Sequence, residues 1–136
     1  MKEFRLLPEK RNPIHEGIEN YAVVCSFSGK RVLDALELRD FAGQLMTSIS
    51  DECFERGAKQ IGHIKAHLEH DTGFLSADTL GTPEDVVVEG RDGAPAERFR
   101  LVINSVVYGL ARDMIMKATE EALDSVSTRF GLTREQ

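Results

Sequence analysis

Long apolar runs, a cysteine framework and an excess of positive charge are all missing from this chain of 136 residues. No apolar stretch approaches the roughly 20 residues of a membrane-spanning helix, so we expect no membrane partner. The N-terminal sequence MKEFRLLPEKRNP lacks the apolar core of a secretory signal, which predicts a cytoplasmic location. With 17 Lys and Arg against 23 Asp and Glu, the net charge of −6 disfavours a nucleic-acid partner.

The two cysteines, Cys25 and Cys53, lie in apolar contexts without CxxC spacing. This pattern favours buried, reduced thiols over a disulfide or a zinc knuckle. The length fits one ordinary domain that buries enough surface to fold without such links. We therefore predict an extended N-terminal arm over residues 1–18, where no hydrophobic period occurs, and a single domain over residues 19–136.

Two stretches have the hydrophobic period of a helix. From about Leu33 to Arg56, apolar residues recur at steps of three and four, which places them in one stripe. Asp34 followed by Glu37 predicts a capping box at the start of this helix. A second long helix is predicted from about Ser105 to Phe130.

Five stretches are predicted as strands because they are rich in β-forming residues and are bounded by turn residues. The segment 59–70 also fits a helix, since Ile61, Ile64 and Leu68 satisfy helical spacing. We favour a strand because Gly62 lies inside the segment and the turn Asp71-Thr72-Gly73 follows it. The predicted fold is α+β, a two-layer sandwich in which two long helices pack on one face of an antiparallel, four- to five-stranded meander sheet. The predicted strands are Tyr21–Phe27, 59–70, Phe74–Asp78, Val86–Val88 and Arg98–Ile103.

Alternation within two of these strands predicts a polar side of the sheet that the helices leave uncovered. Such a side is either solvated, covered by another subunit or occupied by a ligand. The sequence identifies no cofactor, no metal-ligand set and no catalytic residue. The candidate ligand or interface residues are His63, Lys65, His67, Glu69, Arg98 and Arg100.

The histidines are the strongest chemical candidates, because imidazoles bind divalent metals. On a strand, His63 and His67 lie roughly 13 Å apart, too far to bind one ion, whereas on a helix they are neighbours. Two arrangements stay open. The ligands come together across a subunit interface, or His70 acts with Asp71.

The sequences IGHIKAHLEHDTGFLSADTLG and LVINSVVYGL resemble an accessory domain that follows the GTPase domain in some CobW-type metallochaperones. The resemblance covers about Leu33 to Phe130 by element order, and the GTPase motifs themselves are absent. It implies a free-standing accessory module in metal or cofactor handling, without nucleotide hydrolysis of its own. No metal-ligand motif of that family falls on a residue of this chain.

These observations lead us to predict a non-catalytic cytoplasmic binding or accessory module that acts as a homo-oligomer or with a partner protein. The competing hypothesis is a small enzyme with its active site on the polar face of the sheet or at a subunit interface. A flat face covered by another subunit favours the first hypothesis, and a concave pocket with convergent polar groups favours the second.

Overall fold

A computed structural model describes residues 17–135 of the chain. The predicted N-terminal arm, residues 1–18, lies outside the described residues except for Gly17 and Ile18. The elements, in chain order, are β1 (Ile18–Leu33), α1 (Ala35–Glu55), β2 (Gln60–His70), β3 (Gly73–Thr79), a short 3₁₀ turn (Pro83–Asp85), β4 (Val87–Arg91), β5 (Ala96–Tyr108), α2 (Arg112–Arg129) and β6 (Leu132–Glu135).

All strand pairs of the sheet are antiparallel, and the strand order is β4-β3-β2-β5-β1-β6. The α+β class and the antiparallel sheet are therefore confirmed. The expected four to five strands were too few, because the short strand β6 adds a sixth. A meander was also wrong for the whole sheet. Strands β2, β3 and β4 form one, but β5 returns to pair between β2 and β1.

Both helices pack on one face of the sheet and against each other, as expected for a two-layer sandwich. Helix α1 begins with the predicted capping box, in which Asp34 accepts from the backbone of Glu37 and the Glu37 carboxylate accepts from the backbone of Asp34. Its buried stripe includes Phe41, Leu45 and Ile49, all fully buried. The core therefore lies between these helices and the inner side of the sheet.

The second helix starts later than the sequence predicted. Residues from Ser105 to Tyr108 continue strand β5, and α2 begins only at Arg112. Ser105 and Val107 are buried on the same side as Phe99 and Leu101, so the alternation of the strand runs on unbroken. Val107 lies three residues before Leu110 and seven before Met114, so it fitted the predicted helical stripe by coincidence.

A bulge in β2 explains why the segment 59–70 fitted the hydrophobic period of a helix as well as that of a strand. Ile61 pairs with Val107 and His63 pairs with Val106, so Gly62 is the extra residue. The bulge turns both Ile61 and Ile64 inward, a step of three within a strand. A Cβ on Gly62 would lie 3.2 Å from the carbonyl oxygen of Val106, which explains the glycine. The strand prediction for this segment is confirmed. The expected regular alternation of inward and outward side chains through Gly62 is not confirmed.

Candidate functional site

The side of the sheet away from the helices, the open face, is defined by the strand register. In antiparallel pairing, residues directly opposite each other project from the same side of the sheet. The six candidate residues predicted from the sequence all project from this side, whereas the core side chains alternate with them. The open face consists of Ile18, Asn20, Ala22, Val24, Ser26 and Ser28 of β1, Gln60, His63, Lys65, His67 and Glu69 of β2, Phe74, Ser76 and Asp78 of β3, Val87, Glu89 and Arg91 of β4, Arg98, Arg100, Val102, Asn104, Val106 and Tyr108 of β5, and Thr133 and Glu135 of β6.

Charges of opposite sign alternate across the open face. Arg100 Nη1 lies 3.6 Å from Glu69 Oε1, and Arg98 Nη2 lies 3.7 Å from Glu135 Oε2. These distances exceed a hydrogen bond, and the side chains are largely exposed, so each pair contributes at most about 1 kcal/mol to stability. The guanidinium and carboxylate groups of these pairs therefore interact only weakly with each other.

His67 is held by neighbours on two strands. Its Nδ1 lies 3.4 Å from Ser76 Oγ, and its ring stacks on Phe74 with centroids 5.9 Å apart and an interplanar angle of 28°. Its other nitrogen, Nε2, lies 3.6 Å from Glu69 Oε2. With 44% of its side chain exposed, the imidazole is oriented by the protein and still accessible from solvent.

The remaining candidates do not join this group. His63 pairs with Val106 at the far end of the face, four residues along β2 from His67 and therefore roughly 13 Å away. Lys65 lies between Asn104 and Asp78 on the neighbouring strands. Within residues 17–135, no group of three or more His, Cys, Asp or Glu side chains is arranged to hold a metal ion. One copy of the described chain therefore offers at most pairs of neighbouring ligands, such as His67 with Glu69.

An apolar stripe on the open face was missed by the sequence reasoning. Val24 of β1 lies directly opposite Val102 of β5, and Val106 and Tyr108 extend the stripe along β5 beyond the exposed Asn104, which interrupts it. Val24 is 55% exposed, and the other three are half-buried. A signal was present in the sequence, because Val102 interrupts the polar positions that follow Arg98 and Arg100. The open face is therefore mixed, with an apolar stripe beside the charged residues of β2.

His70 and Asp71 lie at the β2–β3 turn, beside the open face. They line a cleft of about 320 Å³ together with Arg98, Arg100 and Glu135. A neighbouring cleft of about 340 Å³ contains the same turn together with His67 and Arg91. A turn is present where the sequence predicted one, but it comprises only Asp71 and Thr72, because Gly73 already belongs to β3.

Both cysteines are free and buried, as predicted. Burial raises the pKa of the Cys53 thiol to about 11, and it also raises the pKa of Cys25. Because the thiolate is the reactive form, neither side chain is activated as a nucleophile or as a metal ligand.

Replacing both His63 and His67 with Asn is expected to change the free energy of unfolding by less than about 0.5 kcal/mol, because neither belongs to the core. Urea unfolding followed by circular dichroism measures this change. Ile64→Ala, on the buried side of the same strand, is the contrasting variant and should cost about 2–5 kcal/mol. A loss of several kcal/mol in the double histidine variant would instead make these histidines structural.

Comparison with known proteins gives little further information. No family model matches the chain, and no curated protein matches it. Two solved structures of a Zn(II)-bound YjiA GTPase match it, one from E. coli and one of a triple mutant, at 11% and 12% identity and TM-scores of 0.37 and 0.38. The match covers 90% and 83% of this chain, respectively, but the chain spans only 33% of each matched chain. At these TM-scores the likeness carries no argument about function.

Neither α1 nor α2 is long and apolar enough to cross a membrane.

Proposed function

We propose that this chain is a binding module whose open face binds a second copy of the same chain. The observation that carries the proposal is the charge balance of that face. Four basic residues, Lys65, Arg91, Arg98 and Arg100, are matched by four acidic residues. The acidic residues are Glu69, Asp78, Glu89 and Glu135.

The chain as a whole carries a net charge of −6, so two copies repel each other over most of their surfaces. Repulsion is weakest where the local charge is zero. A face with alternating signs is also self-complementary, since a two-fold axis that lies parallel to it places acidic groups of one copy opposite basic groups of the other. Both properties favour a second copy over a strongly charged partner.

The apolar stripe gives the proposed interface a desolvated centre. Val24, Val102 and Val106 lie on the adjacent strands β1 and β5, with charged residues to one side on β2. Specific interfaces combine an apolar centre with a polar rim in this way. An exposed valine next to other apolar side chains gains most from burial against a partner.

The size of the open face suits a stable dimer. Six strands about 4.8 Å apart make the face roughly 24 Å wide, and its residues on β5 extend over roughly 30 Å. The open face therefore has a flat area of roughly 700 Å², which is close to the roughly 800 Å² that each partner buries in a specific interface.

Val24→Lys is expected to weaken the dimer about tenfold or more, because burying an unpaired ammonium costs more than the roughly 1.4 kcal/mol that a factor of ten represents. Sedimentation equilibrium over about a hundredfold range of protein concentration measures the dissociation constant. The matched control is Met116→Lys, which adds the same charge at a position 37% exposed on α2, in the helix layer. Wild type that stays monomeric at every concentration would contradict the proposal, as would equal effects of the two variants.

A further inference from the structure

We propose that the outer edge of strand β1 from Ile18 to Val24, the edge slot, binds an extended segment of a partner protein as an additional strand of the sheet. In this mode of recognition, main-chain hydrogen bonds supply the affinity and the flanking side chains supply the specificity. The inference does not rest on the proposed dimer, because the dimer uses the face of the sheet and the segment uses its edge.

Hydrogen bonds near the two ends of β1 show which backbone groups point into the edge slot. Gly109 N donates to Gly17 O on the side of β5 at 2.8 Å, whereas Lys30 N donates to Gly131 O on the side of β6 at 3.4 Å. Because backbone groups alternate in direction along a strand, the odd-numbered residues of β1 bond to β5 and the even-numbered residues face away from it. The N–H and C=O groups that point into the edge slot are those of Ile18, Asn20, Ala22 and Val24.

Strand β6 covers only part of this edge. It ends at Glu135, opposite Ser26, so within residues 17–135 no strand lies beside the edge slot. Asn20, Ala22 and Val24 are all exposed, and the pairing of β1 with β5 is regular from Ile18 to Ser28, without a bulge. The edge slot is therefore straight, accessible and able to continue the hydrogen-bond ladder.

The opposite edge of the sheet, in contrast, is protected. Arg39 of α1 donates from Nη1 to Val88 O at 3.3 Å and from Nη2 to Gly90 O at 3.4 Å, so it occupies two carbonyls of β4. The φ of +147° at Gly90 also interrupts the extended backbone there. Proteins block sheet edges with such devices because a free edge pairs with other chains. The chain blocks one edge in this way and leaves the edge slot open.

The position of α2 favours a single segment over a second copy of the chain. Helix α2 lies above the edge slot, where Tyr21 Oη donates to Glu120 Oε2 at 2.9 Å and the Arg112 guanidinium lies 5.7 Å from the centroid of the Tyr21 ring. Two copies paired through β1 would place their α2 helices roughly 5 Å apart, one strand spacing, whereas packed helices need about 8–10 Å. A lone strand meets no such obstacle, since β6 already lies beside β1 with Arg134 bonded to Glu120 of α2.

Side chains beside the edge slot define the chemistry of the segment. Val24 is 55% exposed on the open face, and Tyr21 and Val23 are half-buried on the helix side, so both side-chain rows of the added strand meet apolar groups. The exposed carboxylate of Glu19 and the net charge of −6 attract basic groups. The segment therefore combines β-branched residues at its centre with Lys or Arg at its ends.

The probe is the peptide KVTVTVK with acetylated and amidated ends, added to the full chain while amide hydrogen exchange is followed by NMR. In the free chain, the outward amides of Asn20, Ala22 and Val24 should exchange at least about tenfold faster than those of Tyr21 and Val23, which bond to β5. With about 1 mM peptide, exchange of the outward amides should slow about tenfold or more, while that of the inward amides stays unchanged.

Ala22→Pro removes an outward N–H from the middle of the edge slot and leaves the bonds to β5 in place, so it should abolish this protection. The matched control is Ala35→Pro, the same substitution at the first residue of α1, where proline is tolerated. It should respond like wild type, and urea unfolding checks that both variants fold. The peptide KVTPTVK, in which proline interrupts the strand, should protect nothing and tests the proposal without any change to the chain.

Outward amides that are already protected in the free chain would overturn the proposal, because the edge slot would then be covered without the peptide. The absence of protection at about 1 mM peptide would overturn it as well, since main-chain pairing tolerates different sequences. Equal protection by the two peptides, or a full response in a folded Ala22→Pro variant, would have the same meaning. The proposed dimer fails by a different result, a monomer mass at every concentration without peptide.

Discussion

Leu45→Ala is expected to lower the free energy of unfolding by about 2–5 kcal/mol, one of the largest effects of any single truncation in this chain. Leu45 is fully buried in α1, where it belongs to the core between the helices and the sheet. Truncation removes the transfer free energy of the lost methyl and methylene groups and leaves a cavity that dense packing prevents from closing. Urea unfolding gives the change directly, and an unchanged m-value shows that the unfolded state is the same.

Leu36→Ala is the matched control for this prediction, because it makes the same truncation in the same helix at a position 77% exposed. Its cost should stay within about 0.5 kcal/mol. Equal losses in the two variants would mean that the buried face of α1 has been assigned incorrectly.

Helix α1 was predictable almost to the residue because several local signals agree. Its apolar stripe has the right spacing, Asp34 and Glu37 form the capping box, and Gly57 follows the end with a φ of +103°. Each signal lies within a few residues of the element that it defines. The observed helix, Ala35–Glu55, begins two residues after and ends one residue before the predicted bounds.

The order of the strands was not predictable in this way, since it depends on contacts far apart in the chain. Strand β5 pairs with residues of β1 that lie 63 to 90 positions earlier, and also with β2. Nothing in the local sequence specifies that choice. Strand β6, Leu132–Glu135, is too short to show a period of two. The same limit applies to the start of α2, where Val107 fits the pattern of either element.

The sequence was enough to predict which side of the sheet the candidate residues lie on, but not which side chains they contact. Alternation in β2 is enough to place Lys65, His67 and Glu69 on one side of a strand. The contacts that orient His67 come from Ser76 and Phe74 on β3, and they depend on the register of that pair of strands. The register between strands depends on the folded sheet as a whole. The contacts that orient His67 next to Glu69 could therefore be identified only from the structure.

The largest effect of adding a single methyl group is expected at Gly90, in strand β4. Gly90 has a φ of +147°, a region that side chains rarely adopt, and a Cβ there would lie 2.2 Å from the carbonyl oxygen of Phe74 and 2.9 Å from Leu75 Cα. Both contacts are with backbone atoms of β3, which cannot rotate away. Gly90→Ala is therefore expected to cost about 2–6 kcal/mol, since backbone strain of about 1–3 kcal/mol adds to overpacking of similar size.

Gly131→Ala separates the two contributions, because Gly131 has a φ of +68° and a Cβ there would meet nothing within 4 Å. It should cost only the roughly 1–2 kcal/mol of a left-handed alanine. Urea unfolding of both variants measures the difference.

Because Arg91 of the open face follows Gly90 on the same strand, Gly90→Ala should also displace the β4 edge of that face, which sedimentation equilibrium detects as a weaker dimer. Equal losses of stability in the two glycine variants would show that β4 moves freely away from β3, and that the β4 edge of the open face is not fixed by this pairing.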